Sequence, residues 1–539
     1  MSRSTSHRRE EVLLLPECLD DYVDADNPVR ALDHYVETLN LGELKFDLKS
    51  EGTVGRPLDY RPQVLLKILI YGYLNQIRSS RKLEKQTKVN LELIWLAEKA
   101  QPDHWTINDF RRRNGTAFKQ VLRNFHRVCD VLELFGKELL AGDGSFFKAL
   151  NNASGNYTRS KLDKLEARID AAIEAYNEAL EEDVRQDEKP EAKPADEDSG
   201  EKSDEPVEVK NLRAEGSLEE LQSKKAKIEQ LQKQVEESES GQVSINDPDS
   251  RLLKKGNQSV VGHNVQCSVD GKHTLIAHIE IVQAGNDTRQ LEPLARNTCE
   301  ALGIRPGEGE EIDFVADGGY VNHAQMSRLE EDHIQVHVPE KRTRVIHTPG
   351  YETGIDFCHD PEKDEYICPQ GNRLTRHQDT TSREITYRVY YNTAACRSCP
   401  VREKCTRGKY RKIRISEYRE MENRVAARLK ERPEVYARRK EIAELPFGTL
   451  KSVWGYRQFM VTGKQSCEGE LNLMAWCFNW KRVLNLVGME KLMEAIAFLS
   501  AFFCRTGLSF RILKALEGSR VVFLDSRARD RHLMTNLTS

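Results

Sequence analysis

Apolar residues recur at three- and four-residue intervals through 61–98, "RPQVLLKILIYGYLNQIRSSRKLEKQTKVNLELIWLAE", the signature of amphipathic helix. Pro62 stands near its start, where a missing N–H costs nothing. A second helical run over 102–134 opens with Asp103 and Thr106, either of which can cap a helix N-terminus. Residues 1–135 therefore read as helical. Two long helical patterns follow, 157–183 and 217–239, separated by a Pro- and Ser-containing acidic tract. They predict an antiparallel coiled-coil hairpin with a low-complexity loop.

The period changes from about 3.6 to 2 beyond residue 258. Val265, Cys267 and Val269 alternate with polar positions, and Leu275 to Val282 forms a second run. Asp270-Gly271 between them predicts a hairpin. A helix over 287–304, a strand over 312–319, a helix over 324–334 and a strand over 335–340 complete the pattern, with more helix after 417. Together with an apolar strand leading to Asp143, this order predicts an α/β fold with a mixed sheet.

At 539 residues the chain is long enough for several domains, and a mean hydropathy of -0.65 marks it as polar. The run 493–510 is interrupted by Arg505 and reads as a buried C-terminal helix rather than a membrane span. No membrane partner and a cytoplasmic location are expected. The net charge of -4 conceals a division: 181–210 holds 13 acids against 5 bases, whereas 401–440 holds 15 bases against 6 acids. Such a basic block, with Tyr410, Tyr418 and Tyr436 among its arginines, suits either a solvated face or a phosphate backbone. Arg78, Arg81, Lys82 and Arg111, Arg112 and Arg113 lie between apolar faces of the N-terminal helices. They resemble a helix-turn-helix-like DNA-binding module, with a plain helical bundle as the alternative.

Two acids share a setting. Asp143 and Asp317 each end an apolar run and each is followed by glycine, in "AGDGSFF" and "FVADGGY". Asp-Gly is a strong turn signal in its own right. Carboxylates at strand ends also suit a hard divalent cation. A third acid, Glu444, lies in "YARRKEIAELPFGTLK", flanked by Arg439, Lys440 and Lys451, where a carboxylate and cations could grip metal and phosphate together. Cys368, Cys396, Cys399 and Cys405 form a second cluster, with one Cys-x2-Cys pair. In a reducing compartment this suits a closed, structural four-thiolate Zn²⁺ site.

Taken in order, "DNPVRALDHYVETL", "YRPQVLLKILIYGYLNQIRSSRKLE", "PDHWTINDFRRRN", "DGSFFKALNN", "GHNVQCSVDGKHTLIAHIEIVQAGNDTRQLEPL", "VADGGYVN" and "ELPFGTLK" resemble the DDE-type bacterial insertion-sequence transposases, specifically the group numbered 1182. The resemblance runs almost end to end. It implies an RNase H-like catalytic core, a mixed sheet flanked by helices. Asp143, Asp317 and Glu444 match the catalytic acids holding two Mg²⁺ ions, with Mn²⁺ as a substitute, and Lys451 matches the lysine that follows the glutamate. The family signature is displaced at Tyr436 and Arg439, each one position early, with Ala437 and Lys440 in their places. Arg439, Lys440 and Lys451, with Arg111, Arg112 and Arg113, are the expected DNA contacts.

The division this implies is an all-helical DNA-binding domain (1–135), a first core segment (136–156), the coiled-coil and acidic insertion (157–250) and a continued core (251–345). A cysteine-rich insertion (346–416), the core with its glutamate helix (417–490) and a tail helix (491–539) follow. The expected activity is strand cleavage at element ends and transfer to target DNA. The expected assembly is a homodimer or larger on terminal inverted repeats and target, on the bacterial nucleoid. The competing readings are a non-catalytic DNA-binding relative or repressor, and a metal-dependent nuclease of the same fold without strand transfer.

Overall fold

The computed structural model describes residues 18–48, 60–151, 155–187, 218–238, 241–255, 258–307, 311–339, 357–382, 384–406 and 408–506. Most of the acidic tract and the end of the tail lie outside them. Six helices come first: α1 (Pro28–Glu37), α2 (Pro62–Leu74), α3 (Ser80–Val89), α4 (Leu91–Leu96), α5 (His104–Arg113) and α6 (Gly115–Val131). The single helical pattern of 61–98 is thus three helices. Asn90 breaks the last two apart, its side chain accepting from the Leu93 N–H at the start of α4.

The last helix, α15 (Lys464–Thr506), is far in sequence but packs along α6. Trp476 and Trp480 stack on each other and meet Tyr35 and Phe125, all buried. The crossing is close because two glycines meet. A Cβ on Gly469 would lie 2.4 Å from the Gly115 Cα, and one on Gly115 would lie 2.3 Å from the Gln465 carbonyl. Gly488, at φ 80°, kinks α15. The N-terminal helices therefore share their core with the chain's far end.

The main sheet contains β1 (Leu139–Lys148), β4 (Arg251–Lys255), β5 (Gln258–Asp270), β6 (Ile276–Val282), β7 (Ile312–Val315) and β8 (Ile334–His337). Its order is β4-β5-β1-β7-β8, with β6 also on β5. β5 is antiparallel to β1 and β6, whereas β7 and β8 run parallel to β1. α9 (Leu291–Ala301) covers one face, where the Cβ missing from Gly142 would touch Leu294 and Phe314. α10 (His323–Glu331) connects β7 to β8.

A helical hairpin interrupts the sheet between β1 and β4. β2 (Asn156–Thr158) pairs with β3 (Gln242–Ser244), closing the base of α7 (Arg159–Asp187) and α8 (Leu218–Glu237). The helices run antiparallel, joined by Arg159–Glu236, Gln232 to Glu166 at 2.7 Å and Lys225 to Asp170 at 2.6 Å. Leu162, Ile228, Leu231 and Val235 form their small core.

The cysteine-rich region contains more regular structure than its sequence pattern predicts. Six short strands, β9 (Cys358–Asp360), β10 (Glu365–Ile367), β11 (Arg373–Arg376), β12 (Thr380–Ser382), β13 (Ile385–Tyr391) and β14 (Ile413–Ser416), make a second, antiparallel sheet. Two short helices, α11 (Thr393–Arg397) and α12 (Arg402–Cys405), carry Cys396 and Cys405, with Cys399 between them and Cys368 just after β10. α13 (Arg419–Glu431) and α14 (Pro433–Gly448) then return the chain to the main sheet. Among the described residues no helix is long and apolar enough to cross a membrane.

Candidate active site

β1 and β7 are parallel neighbours whose ladder ends at Ala141 opposite Val315. Two residues further along each chain stand Asp143 and Asp317. Side chains alternate along extended backbone, so both acids project from the same face as Ala141 and Val315, about one strand spacing (~4.8 Å) apart in backbone. Asp317 is still extended, at φ -78° and ψ 167°, and its carboxylate caps the short turn Gly318–Tyr320 by accepting the Gly319 N–H at 2.7 Å. Both acids are half-buried.

The Glu444 helix lies over the same face. Phe147, on the Asp143 side of β1, packs against Phe447 of α14 with ring centroids 6.2 Å apart. Pro446 inside α14 removes a backbone donor, and the chain widens into a π-helical turn over Thr449–Val453. That turn swings Lys451 onto β1. Its ammonium donates to Ser145 Oγ at 2.5 Å and to the Phe146 carbonyl at 2.6 Å, and sits over the Phe147 ring. Glu444, about two turns earlier, is exposed, with Arg439 at 3.5 Å.

Behind the two acids lies a polar network that the sequence pattern does not single out. The Tyr320 hydroxyl donates to Gln266 Oε1 at 2.5 Å, and Gln266 Nε2 donates to Asp287 Oδ1 at 2.7 Å. Asn264 reaches the same oxygen at 3.2 Å. A Cβ on Gly144 would lie 2.8 Å from Asp287 Oδ1, so the glycine after Asp143 is what lets this carboxylate approach the strand. Burial, and then the charges of Asp287, Asp143 and Asp317, hold the Tyr320 hydroxyl protonated far above the usual phenol range.

The other expected contacts divide. Arg111 is buried, its guanidinium donating to the Tyr73 hydroxyl, the Arg78 carbonyl and Asn108 Oδ1. It fastens α5 inside the bundle and presents nothing to a ligand. Arg78 likewise turns inward, to the Gln458 carbonyl at 2.7 Å and the buried Glu470. Arg113 pairs with Asp47 and Asp109. Arg112 and Lys440 are exposed. Lys451 is directed to β1 rather than outward.

Cys368, Cys396, Cys399 and Cys405 line one cavity beside the second sheet. Burial raises the Cys405 thiol pKa, and the other three thiols add to the effect. The group of three ligand atoms within 4.8 Å of one another among the described residues is a different one: Asp247, His263 and Cys467, all buried. There His263 Nε2 bonds Asp247 Oδ2 at 3.0 Å, Asp247 Oδ1 accepts the Gly463 N–H, and Cys467 Sγ donates to the Val461 carbonyl. This is a hydrogen-bonded tie between the exit of the helical hairpin, β5 and the start of α15.

Residues 17–113 match a transposase domain family, and residues 367–484 match the transposase DDE domain family. Two segments, together less than half of the chain, are thus similar to DDE-type transposases. The two matches flank Asp143 and Asp317, and the second contains Glu444 and the helices α11 to α15, the last in part. No curated protein matches the chain. A solved structure, the piggyBac transposase synaptic complex with hairpin DNA, aligns with 92% of this chain and 85% of its own at 8% identity. Its TM-score is 0.31, too low to carry any argument about this chain.

Proposed function

We propose that this protein is a transposase that cleaves DNA strands at the ends of a mobile element and joins the freed 3′-OH to target DNA, using Asp143, Asp317 and Glu444. The observation that carries the reading is that Asp143 and Asp317 each stand two residues beyond the last paired residues of the β1–β7 ladder, Asp143 inside β1 rather than at its end as its sequence setting predicts, and Asp317 just past the end of β7. The order β6-β5-β1-β7-β8, three antiparallel strands followed by two parallel to the first, with β4 added along β5, supports an RNase H-like core. The hairpin of α7 and α8 is read as a coiled-coil insertion into it.

The site suits a divalent cation. Its acids are half-buried, and their combined negative field already disfavours ionisation of Tyr320. Asp143 and Asp317 would hold Mg²⁺, with Glu444 joining from the helix above. When bound, Mg²⁺ supplies Lewis acidity at the phosphodiester and makes water a competent nucleophile at neutral pH. The chain's own contribution is positional. Lys451 clamps the Glu444 helix to β1, Tyr320 anchors the turn that carries Asp317, and Arg439 lies beside Glu444. Exposed Lys440 stands where a DNA phosphate would be met.

Four thiols lining one cavity favour a structural Zn²⁺ held by Cys368, Cys396, Cys399 and Cys405. Because two element ends must be joined, the working unit is a dimer or larger assembly on DNA.

The deciding experiment is Asp317→Asn. Binding of a duplex should persist while Mg²⁺-dependent nicking of plasmid DNA disappears; nicking at the wild-type rate would overturn the site assignment.

A further inference from the structure

With Arg111 buried and Arg113 paired, the cationic surface of the helical layer lies elsewhere. Along α3, at 100° per residue, Arg81, Lys82, Lys85 and Lys88 fall within a single arc of about 120°. All four are exposed, whereas Leu83 and Thr87 on the opposite side are fully buried. The arc contains no acid; its one other member is Val89, 61% exposed. The acid of this helix, Glu84, lies at its border, where one carboxylate oxygen accepts from Lys88 Nζ at 3.2 Å and the other turns to α5. It accepts the His104 N–H at 3.0 Å and bonds His104 Nδ1 at 2.8 Å, fixing the start of α5 against α3. The residue after that contact, Trp105, is 70% exposed.

We propose that this face of α3, with the exposed Trp105 of α5, docks double-stranded DNA. The proposal rests on the transposase reading above and assigns the duplex contact to α3 in place of the arginines of α5. Arg81, Lys82 and Lys85, with Lys88 beside them in an ion pair with Glu84, match a phosphate backbone in sign, and an α-helix matches the width of the major groove. An indole left in water gives a flat apolar surface for sugar or base edges, which a face meant only for solvation does not need.

The test measures binding of the full chain to a 40-bp duplex of arbitrary sequence across a salt series. The variant Arg81→Gln/Lys82→Gln/Lys85→Gln keeps good helix formers on an exposed face, so its fold is retained. Three lost phosphate contacts reduce the slope of log K against log salt by about 2 to 3 and weaken binding at 0.1 M salt by roughly a hundredfold. Trp105→Ala weakens binding with the slope unchanged. A control removing three exposed lysines of the helical hairpin, Lys164, Lys227 and Lys233, leaves both quantities as in the parent. An unchanged slope in the α3 variant overturns the docking face while leaving the catalytic reading intact. Failure of the parent chain to bind any duplex overturns the reading beneath it.

Discussion

Lys451 and Ser145, 306 residues apart, are joined by a 2.5 Å hydrogen bond that fixes the Glu444 helix to the strand carrying Asp143. A second bond, to the Phe146 carbonyl, and the Phe147 ring beneath the ammonium complete the clamp. Lys451→Met keeps most of the aliphatic stem but removes both bonds. It should cost about 1–3 kcal/mol in urea unfolding. Nicking should fall at least tenfold, because the helix that carries Glu444 is no longer fastened to β1. Wild-type nicking in a destabilised Lys451→Met protein would show that the clamp is structural alone.

Tyr320 predicts a different pattern. Tyr320→Phe leaves the buried Gln266 Oε1 without its donor, a loss of about 1–3 kcal/mol. Because the hydroxyl anchors the turn after Asp317, the Mg²⁺ concentration for half-maximal nicking should rise severalfold. A purely structural role would lower stability and leave that concentration where it was.

The glycines give a contrast of sign. A methyl at Gly469 meets the Gly115 backbone at 2.4 Å, and neither backbone can yield without moving a helix. Gly469→Ala should therefore destabilise by about 1–3 kcal/mol or more. At Gly448 the same methyl meets open space, and the backbone is already helical at φ -58° and ψ -47°. Gly448→Ala should stabilise by about 0.5–1 kcal/mol. Thermal unfolding of the two variants checks both signs.

His126 sets an acid limit. It is buried between α6 and β6, with Nε2 bonded to the Ile276 carbonyl at 3.1 Å, and burial lowers its pKa from 6.5 to about 3. Below pH 6.5 the unfolded chain takes up a proton that the folded chain refuses. Stability therefore falls with pH, by up to about 1.4 kcal/mol per unit from this group, until pH approaches 3. His126→Gln should flatten the stability profile between pH 6.5 and 5. A profile unchanged by the substitution would place the acid sensitivity in other groups.

What the sequence revealed follows from how local each signal is. The β5–β6 hairpin was legible because Val265, Cys267 and Val269 alternate and Asp270-Gly271 turns the chain, all within one short segment. The second sheet was not, since strands such as Thr380–Ser382 are exposed throughout and carry no apolar face to read. Basic residues were the hardest. Arg111 and Arg112 are identical by composition, yet one is fixed by Tyr73 of α2 and the Arg78 carbonyl of the loop after it, and the other faces water. Their fates are decided by tertiary packing alone. The same holds for Tyr320 and Asp287, whose partner Gln266 comes from a strand more than 20 residues from either in sequence.

The two-stranded stem formed by β2 and β3 has a wider implication. Asn156 and Ser244, nearly 90 positions apart, face each other in register and are both buried, so the chain leaves and re-enters the sheet at a single point. Whatever hangs from that stem acts as an appendage whose length and chemistry can change without shifting Asp143 against Asp317. It offers a natural graft point, where a handle, a tether or a foreign binding module could be exchanged while the strand pair behind it stays as it is.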